Sequence, residues 1–317
     1  MMAKPVKNVS TVIARIEDLG NNIKRFTLVD QDDWELPPFR IGAHIDVHLE
    51  PGLVRTYSLC NEPEDNRRYI IAVKRERGGR GGSNFLHDRL RTGDRLGVSL
   101  PRGEIALDPS GTNVFVAGGI GVTPFISAVR HLERHGRTNY ALHWSSRGRP
   151  VLTDMIGPAI EAGRVHLYDT TSQAKPVIAD IVKEVADSGF AACCGPVPML
   201  KVFEEAVESW PNERKHIEMF TPPKRIVQSN VPPYELLLAA SKKQATVTPE
   251  VGLLGTLEAM GVDVPVSCGG GICGACRTRW IEGPPIHRDR VLSPAERQRE
   301  LIVCVGDCAG PRLVLDL

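Results

Sequence analysis

The chain has 317 residues, 42% of them hydrophobic and 24% charged, with a formal net charge of +1. That length predicts two or three domains with substantial cores, and the charge balance excludes a globally basic nucleic-acid binder; the basic run KRERGGR (74–80) has no nucleic-acid motif beside it. The N-terminal stretch lacks the apolar core of a signal peptide, and no run approaches the ~20 apolar residues of a membrane span, so the reading is a soluble, cytoplasmic protein without a membrane partner.

Residues 1–108 carry short alternating segments, HIDVHL (44–49), RTYSLC (55–60) and YIIAVKR (69–75), separated by turn residues. This pattern predicts an antiparallel β-barrel. Arg55 beside Tyr57 and Ser58, with GRGGS (79–83) opening a helix at Ser83, offers a cation, a hydroxyl and an amide nest for a phosphate; a surface ion pair is the competing reading of Arg55. LDPSGTN (107–113) reads as a linker.

Beyond it, Val114–Ala117 reads as a buried strand, followed by the turn GGIGVTP and a helix whose apolar stripe is Phe125, Ile126, Val129 and Leu132. Thr123 suits the N-cap, Pro124 the first turn, and Gly136 the stop. A glycine turn opening onto a helix N-terminus suits a diphosphate, although Gly118, Gly119 and Gly121 do not spell the G-x-G-x-x-G fingerprint and an ordinary strand–helix turn stays open. Strand-like YALHW (140–144), RVHLYD (164–169) and FAACCG (190–195) alternate with helical VIADIVKEVADSG (177–189) and VPMLKVFEEAVESW (197–210). Such alternation predicts a parallel α/β sheet with its ligand at the carboxyl ends of the strands, where Gly118–Gly121 and Cys194-Gly195-Pro196 fall. Asp169, ending its strand, is placed to accept from a ribose 2′-hydroxyl and to repel a 2′-phosphate, while Arg147 and Arg149 pull the other way.

TPPKRIVQSNVPPYE (221–235) holds four prolines and reads as a semi-rigid tether. After it, YELLLAASKKQATVTPE (234–250) suggests two strands around a Lys-rich turn, VGLLGTLEAMGV (251–262) a helix, SPAERQRE (293–300) a capping box from Ser293 to Glu296, and RLVLDL (312–317) a final strand. Between them CGGGICGAC (268–276) packs three cysteines and four glycines into nine positions, with Cys304 in the apolar run LIVCV. The spacing Cys268-x4-Cys273-x2-Cys276-x27-Cys304 is that of plant-type [2Fe–2S] ferredoxins, in which one loop wraps the cluster and its glycines let backbone amides reach the sulfurs. Zinc favours separated knuckles, and a thioredoxin-like pair leaves Cys268 unexplained. Cys308, which follows Gly306-Asp307 in an expected turn, is the less favoured fourth ligand; Cys60 and Cys193 read as buried fillers.

RTYSLCNEP, IAVKRERGGRGGS, VAGGIGVTPFISAVRHL, CCGPVPML and the cysteine loop, in this order, resemble the phthalate dioxygenase reductase family over nearly the whole chain. The resemblance implies an FMN-binding β-barrel domain (1–108), an NAD-binding α/β domain (109–225) and an α+β [2Fe–2S] ferredoxin domain (226–317). It implies that Arg55, Tyr57 and Ser58 hold FMN at its phosphate and flavin edge, that Ala72, Val73 and Lys74 line the ring and ribityl chain, and that Gly81, Gly82 and Ser83 cradle the phosphate. Thr123 would lie near the flavin. Gly118, Gly119 and Gly121 would take the dinucleotide's diphosphate, and Cys194, Gly195 and Pro196 would border its nicotinamide. Phe220 would stack on the flavin and shift to admit nicotinamide. Cys194 comes nearest to a reactive group, with a small lining residue as the alternative. The implied activity is NADH-dependent electron transfer through FMN and [2Fe–2S] to a terminal Rieske-type oxygenase, by a monomer. NADPH is the less favoured donor, and a haem-thiolate monooxygenase is the alternative partner. A non-enzymatic ferredoxin-type carrier is the rival from another class.

Overall fold

The computed structural model describes residues 8–50, 53–79, 81–183, 185, 188–220, 231–262, 264–266, 269–271 and 274–317. The chain divides into two compact units, Met1–Phe220 and Thr221–Leu317.

The first unit contains two sheets. Strands β1 (Asn8–Asp18), β2 (Ile23–Val29), β3 (His44–Glu50), β4 (Leu53–Ser58), β5 (Tyr69–Lys74) and β6 (Arg95–Ser99) form an antiparallel sheet in the order β4-β3-β6-β1-β2-β5. Alternation along them turns Ile13, Phe26, Leu28, Ile45, Val47, Tyr69, Ile71, Val73, Leu96 and Val98 into one core. Helix α1 (Gly82–Asp88) contributes Leu86 to it. β1 and β2 were not anticipated: NVSTVIARIED places polar residues next to apolar ones too irregularly to read, and its register with β2 shifts between Ile13 and Arg15.

The second sheet is wholly parallel, in the order β11-β10-β7-β8-β9, from β7 (Thr112–Gly118), β8 (Tyr140–Ser146), β9 (Val165–Asp169), β10 (Gly189–Cys194) and β11 (Lys215–Glu218). Central β7 is covered on both faces, which is why VFVAG is continuously apolar. Phe115 and Ala117 pack towards α2 (Thr123–Arg134), and Val114 and Val116 towards α4 (Ile178–Lys183) and α5 (Val197–Ala206). Phe115 and Phe125 stack at 5.2 Å, an anchor whose truncation to alanine costs about 3–5 kcal/mol. Both α4 and α5 are shorter than their apolar runs suggested. A further short helix, α3 (Gly157–Glu161), lies between β8 and β9.

The two sheets share a core, since Ile23, Cys60, Ala72 and Ile105 belong to the same apolar cluster as Phe125, Trp144 and Cys194. Around it Arg25 pairs with Glu17 (2.8 Å) and Asp154 (2.6 Å), and Arg130 with Glu62 (2.5 Å).

The second unit holds a mixed sheet, β13-β12-β18-β14-β16, from β12 (Tyr234–Leu238), β13 (Gln244–Val247), β14 (Arg277–Glu282), β16 (Glu300–Ile302) and β18 (Arg312–Leu315). A small pair joins β15 (Pro285–Ile286) to β17 (Asp307–Cys308). Helix α6 (Gly252–Ala259) inserts Leu253 and Leu257 into the core. Ser293 and Glu296 form the expected reciprocal cap on α7 (Pro294–Arg297). Among the described residues no helix is long and apolar enough to cross a membrane.

Candidate functional site

β4 and β5 are the two outermost strands of the antiparallel sheet, and they carry most of the residues expected to meet a flavin. Arg55 and Tyr57 alternate along β4 opposite Val47 and Ile45. Arg55 Nη1 donates to the Val54 carbonyl at 2.7 Å, and its stem lies on α1: a Cβ on Gly82 would meet Arg55 Cγ at 2.4 Å. Gly81, at φ 86°, starts α1 with no side chain capping it. The Glu76 amide donates to Ser83 Oγ at 3.0 Å and closes the loop. A guanidinium laid against an uncapped first turn, with glycine exposed beside it, fits an anionic phosphate. On β5, Ala72 faces the shared core and Lys74 is exposed, its Nζ 2.9 Å from Glu76. The Val73 side chain is 1% exposed inside the barrel core, and its carbonyl meets His87 Nε2 at 2.9 Å, so it is the Val73 backbone that lies along this edge.

The glycines ending β7 and β10 serve two purposes. A Cβ on Gly121 would come 2.4 Å from the Cys194 carbonyl oxygen, one on Gly118 2.5 Å from Pro196 Cδ, and one on Gly195 2.6 Å from Met199 Sδ. These three let the strand ends pack together. Gly119, exposed at φ 57° with open space where a Cβ would stand, is the one that faces outward, and its carbonyl accepts from Trp144 Nε1 at 2.9 Å. Thr123 is the first residue of α2, not its cap. Its hydroxyl donates back to the Ile120 carbonyl at 3.1 Å, because a 3-10 turn, Gly119–Val122, leads directly into the helix.

A cluster unforeseen in the sequence lies beside this turn. Glu218 ends β11 in register with Cys194, and Ser58 Oγ, from the end of β4, donates to Glu218 Oε1 at 3.1 Å. Burial pushes the Glu218 carboxyl up to about 7, against the lowering effect of the Ser58 bond. Cys194 is fully buried, and that burial, with the Glu218 charge second, drives its thiol well above the ordinary range. A thiol shifted in that direction stays neutral and is weakly nucleophilic. Phe220, two residues beyond Glu218, is 40% exposed, a large aromatic surface at the same strand end. The signal for Glu218 was present as an isolated acid in the apolar stretch IEMF, but nothing local distinguished it from a surface residue.

Asp169 closes β9. Its Oδ1 accepts from the Gly148 amide (2.9 Å), the Thr171 amide (2.9 Å) and Thr171 Oγ1 (2.7 Å). The Thr171 hydroxyl, then the two amides, hold the carboxyl below its usual range, so it is an anion that also braces the loop bearing exposed Arg147 and Arg149.

In the second unit, Cys276 and Cys304 are 2% and 4% exposed, and the Val303 amide reaches the Cys276 carbonyl at 3.4 Å, setting the two segments side by side. Cys268 and Cys273 lie outside the described residues. Gly269, Gly271 and Gly274 all have φ near 70° (68°, 73° and 71°), and a Cβ on Gly271 would meet Val305 Cγ2 at 2.6 Å. A left-handed glycine loop pressed against the turn that holds Cys304 fits a thiolate-bound cluster. Cys308 is not in a turn as expected but in β17, and its Sγ is 3.2 Å from the Arg312 carbonyl, to which a thiol donates.

A barrel edge suited to a phosphate-bearing flavin, a parallel sheet with glycine turns at its carboxyl end and a cysteine–glycine loop together define a flavin- and iron–sulfur-dependent oxidoreductase. Residues 10–107 match the oxidoreductase FAD-binding domain family and residues 238–306 the 2Fe-2S iron-sulfur cluster binding domain family. The chain is 40% identical over 289 residues to the phenoxybenzoate dioxygenase subunit beta of Ectopseudomonas oleovorans, covering 89% of each chain. The solved structure of phthalate dioxygenase reductase superposes with a TM-score of 0.71 at 32% identity, covering 98% of both chains. An intact type IV self-sufficient cytochrome P450 monooxygenase gives a TM-score of 0.84 at 30% identity; it covers all of this chain, which spans 43% of that longer one. The chain belongs to the phthalate dioxygenase reductase family. It is a reductase component of a multicomponent oxygenase, moving electrons from a pyridine nucleotide through flavin and [2Fe–2S].

Proposed function

We propose that the nucleotide is NADH, that the flavin is FMN and that the electrons leave for a Rieske-type terminal oxygenase. The observation that carries this reading is the meeting of Ser58, from the flavin-side strand edge, with Glu218, from the parallel-sheet edge, beside Cys194 and Gly121. A hydride donor seated on the glycine turns would there face a flavin held on β4 and β5. Flavin, when bound, accepts two electrons together and releases them singly, which joins a hydride donor to a one-electron cluster.

The chain's own residues supply position and field. Arg55, on Gly82, would anchor the phosphate, with Gly81 and Ser83 completing its nest. Ala72, the Val73 backbone and Lys74 would border the ring system and its chain. Gly119 leaves room for the nicotinamide dinucleotide's diphosphate, Gly118 and Gly121 keep the crevice floor flat, and Gly195 and Pro196 wall it. Thr123 holds the turn, Cys194 keeps the floor apolar and neutral, and Phe220 would cover the flavin until nicotinamide displaces it. Cys268, Cys273, Cys276 and Cys304 would ligate the cluster. The Asp169 carboxylate favours NADH, since a 2′-phosphate next to it would meet an anion. We place the domain boundaries at 1–108, 109–225 and 226–317, and take the protein to work as a cytoplasmic monomer.

Heat-released flavin, identified by chromatography, separates FMN from FAD, and steady-state rates with NADH and NADPH separate the donors. A clear NADPH preference or bound FAD refutes the corresponding part. The likeness to a self-sufficient P450 favours a haem-thiolate partner as the second reading. Reconstitution with a Rieske oxygenase and, separately, a P450 distinguishes the two by which one turns over.

A further inference from the structure

HLERH (131–135) puts two histidines one helical turn apart at the end of α2, away from the nucleotide turn where that helix starts. Facing them is Glu64, from the loop between β4 and β5. His131 Nδ1 lies 2.6 Å and His135 Nε2 3.8 Å from the same oxygen, Glu64 Oε1, and the candidate donor atoms of all three residues lie within 4.8 Å of one another. We propose that Glu64, His131 and His135 form a binding site for a divalent cation of the zinc class, joining the barrel loop to α2.

Three features separate this site from an ordinary surface ion pair. First, one ring is already oriented as a metal-bound imidazole would be. His135 Nδ1 is 2.9 Å from the His131 carbonyl, which can only accept, so Nδ1 bears a hydrogen and Nε2 is the ring nitrogen turned towards Glu64. Imidazole ligands are usually oriented in this way, by a bond from the second ring nitrogen to a carbonyl. Second, tetrahedral zinc with bonds of about 2.0–2.1 Å holds its ligand atoms roughly 3.3 Å apart, and the 2.6 and 3.8 Å separations bracket that spacing. Third, the neighbouring cations are occupied elsewhere. Arg130 and Arg134 both turn to Glu62, at 2.5 and 3.8 Å, leaving Glu64 to the imidazoles among the described residues. Glu133, between the histidines, is held by Arg164 and Tyr140 and takes no part.

The site is reachable, with side-chain exposures of 27% for Glu64, 26% for His131 and 48% for His135, so a cation can enter and keep water as its fourth ligand. It sits at a helix C-terminus, where the helix dipole favours positive charge. Binding replaces the proton between His131 Nδ1 and Glu64 with the metal, and it fastens the loop that follows the flavin-side edge to the helix that follows the nucleotide turn.

The test uses the intact protein, replete in flavin and iron, dialysed against zinc chloride and analysed for zinc by mass spectrometry. One zinc per chain is expected above the level of an H131A/H135A double variant, with affinity at least about tenfold weaker in H135A and in E64Q. The thermal midpoint of the wild type should rise with zinc and that of the double variant should not. Equal zinc uptake by wild type and double variant, or the same affinity in H135A, overturns the site. Because His135 is a half-exposed helix-end residue, flavin and iron content of the variants report independently that they have folded.

Discussion

Ser58 Oγ donates to Glu218 Oε1 across 3.1 Å, joining the outer strand of the antiparallel sheet to the outer strand of the parallel one although 160 residues separate them in sequence. Glu218 sits where burial favours its neutral form. The consequence is a pH-dependent stability with a definite sign. The folded carboxyl titrates at about 7 and the unfolded one near 4.5, so the contribution is full below 4.5 and is lost as pH rises through about 7. Urea midpoints measured between pH 5 and pH 8 should fall more steeply in the wild type than in Glu218→Gln. Parallel curves for the two proteins would remove the assignment.

Gly121 and Gly119 stand two residues apart and should respond differently to alanine. At Gly121 the added methyl collides with the Cys194 carbonyl, a backbone atom that cannot step aside. A loss of about 1–3 kcal/mol is expected there, with weakened nucleotide binding. At Gly119 nothing stands within 4 Å and only the positive φ is strained, costing about 1–2 kcal/mol. Chemical denaturation and nucleotide titration check both, and Gly121→Ala that binds nucleotide as tightly as the wild type contradicts the packing role.

Flavin retention should depend on Gly82. Alanine there would meet Arg55 Cγ at 2.4 Å and push the guanidinium off the first turn of α1. Purified Gly82→Ala is expected to hold flavin weakly, with occupancy reduced about tenfold on gel filtration, in line with loss of a charge-assisted phosphate contact worth roughly 1.5–3 kcal/mol. Absorbance at the flavin band against protein concentration gives the answer directly; full occupancy would leave Arg55 without the role given to it.

Iron content discriminates among the cysteines of the second unit. Cys276→Ser and Cys304→Ser should lose the cluster absorbance. Cys308→Ser should keep two irons per chain, because the Cys308 thiol is turned to the Arg312 carbonyl within β17. Iron loss in Cys308→Ser with retention in Cys304→Ser would exchange their roles.

What the sequence determined by itself was whatever a short stretch of backbone dictates. The cysteine loop was legible because three of its cysteines and its left-handed glycines fall within nine residues. The capping box at Ser293 and Glu296, the strand–glycine turn–helix at 112–134 and the parallel alternation that follows were legible for the same reason. The tertiary structure alone decided which atoms face one another across long separations. It brought Ser58 to Glu218, pressed Gly121 onto Cys194, turned Val73 inward and set Glu64 opposite His131. Local spacing restricts a few dihedrals at a time, whereas the pairing of distant strand edges is chosen by the burial of whole faces, and no single segment contains that information.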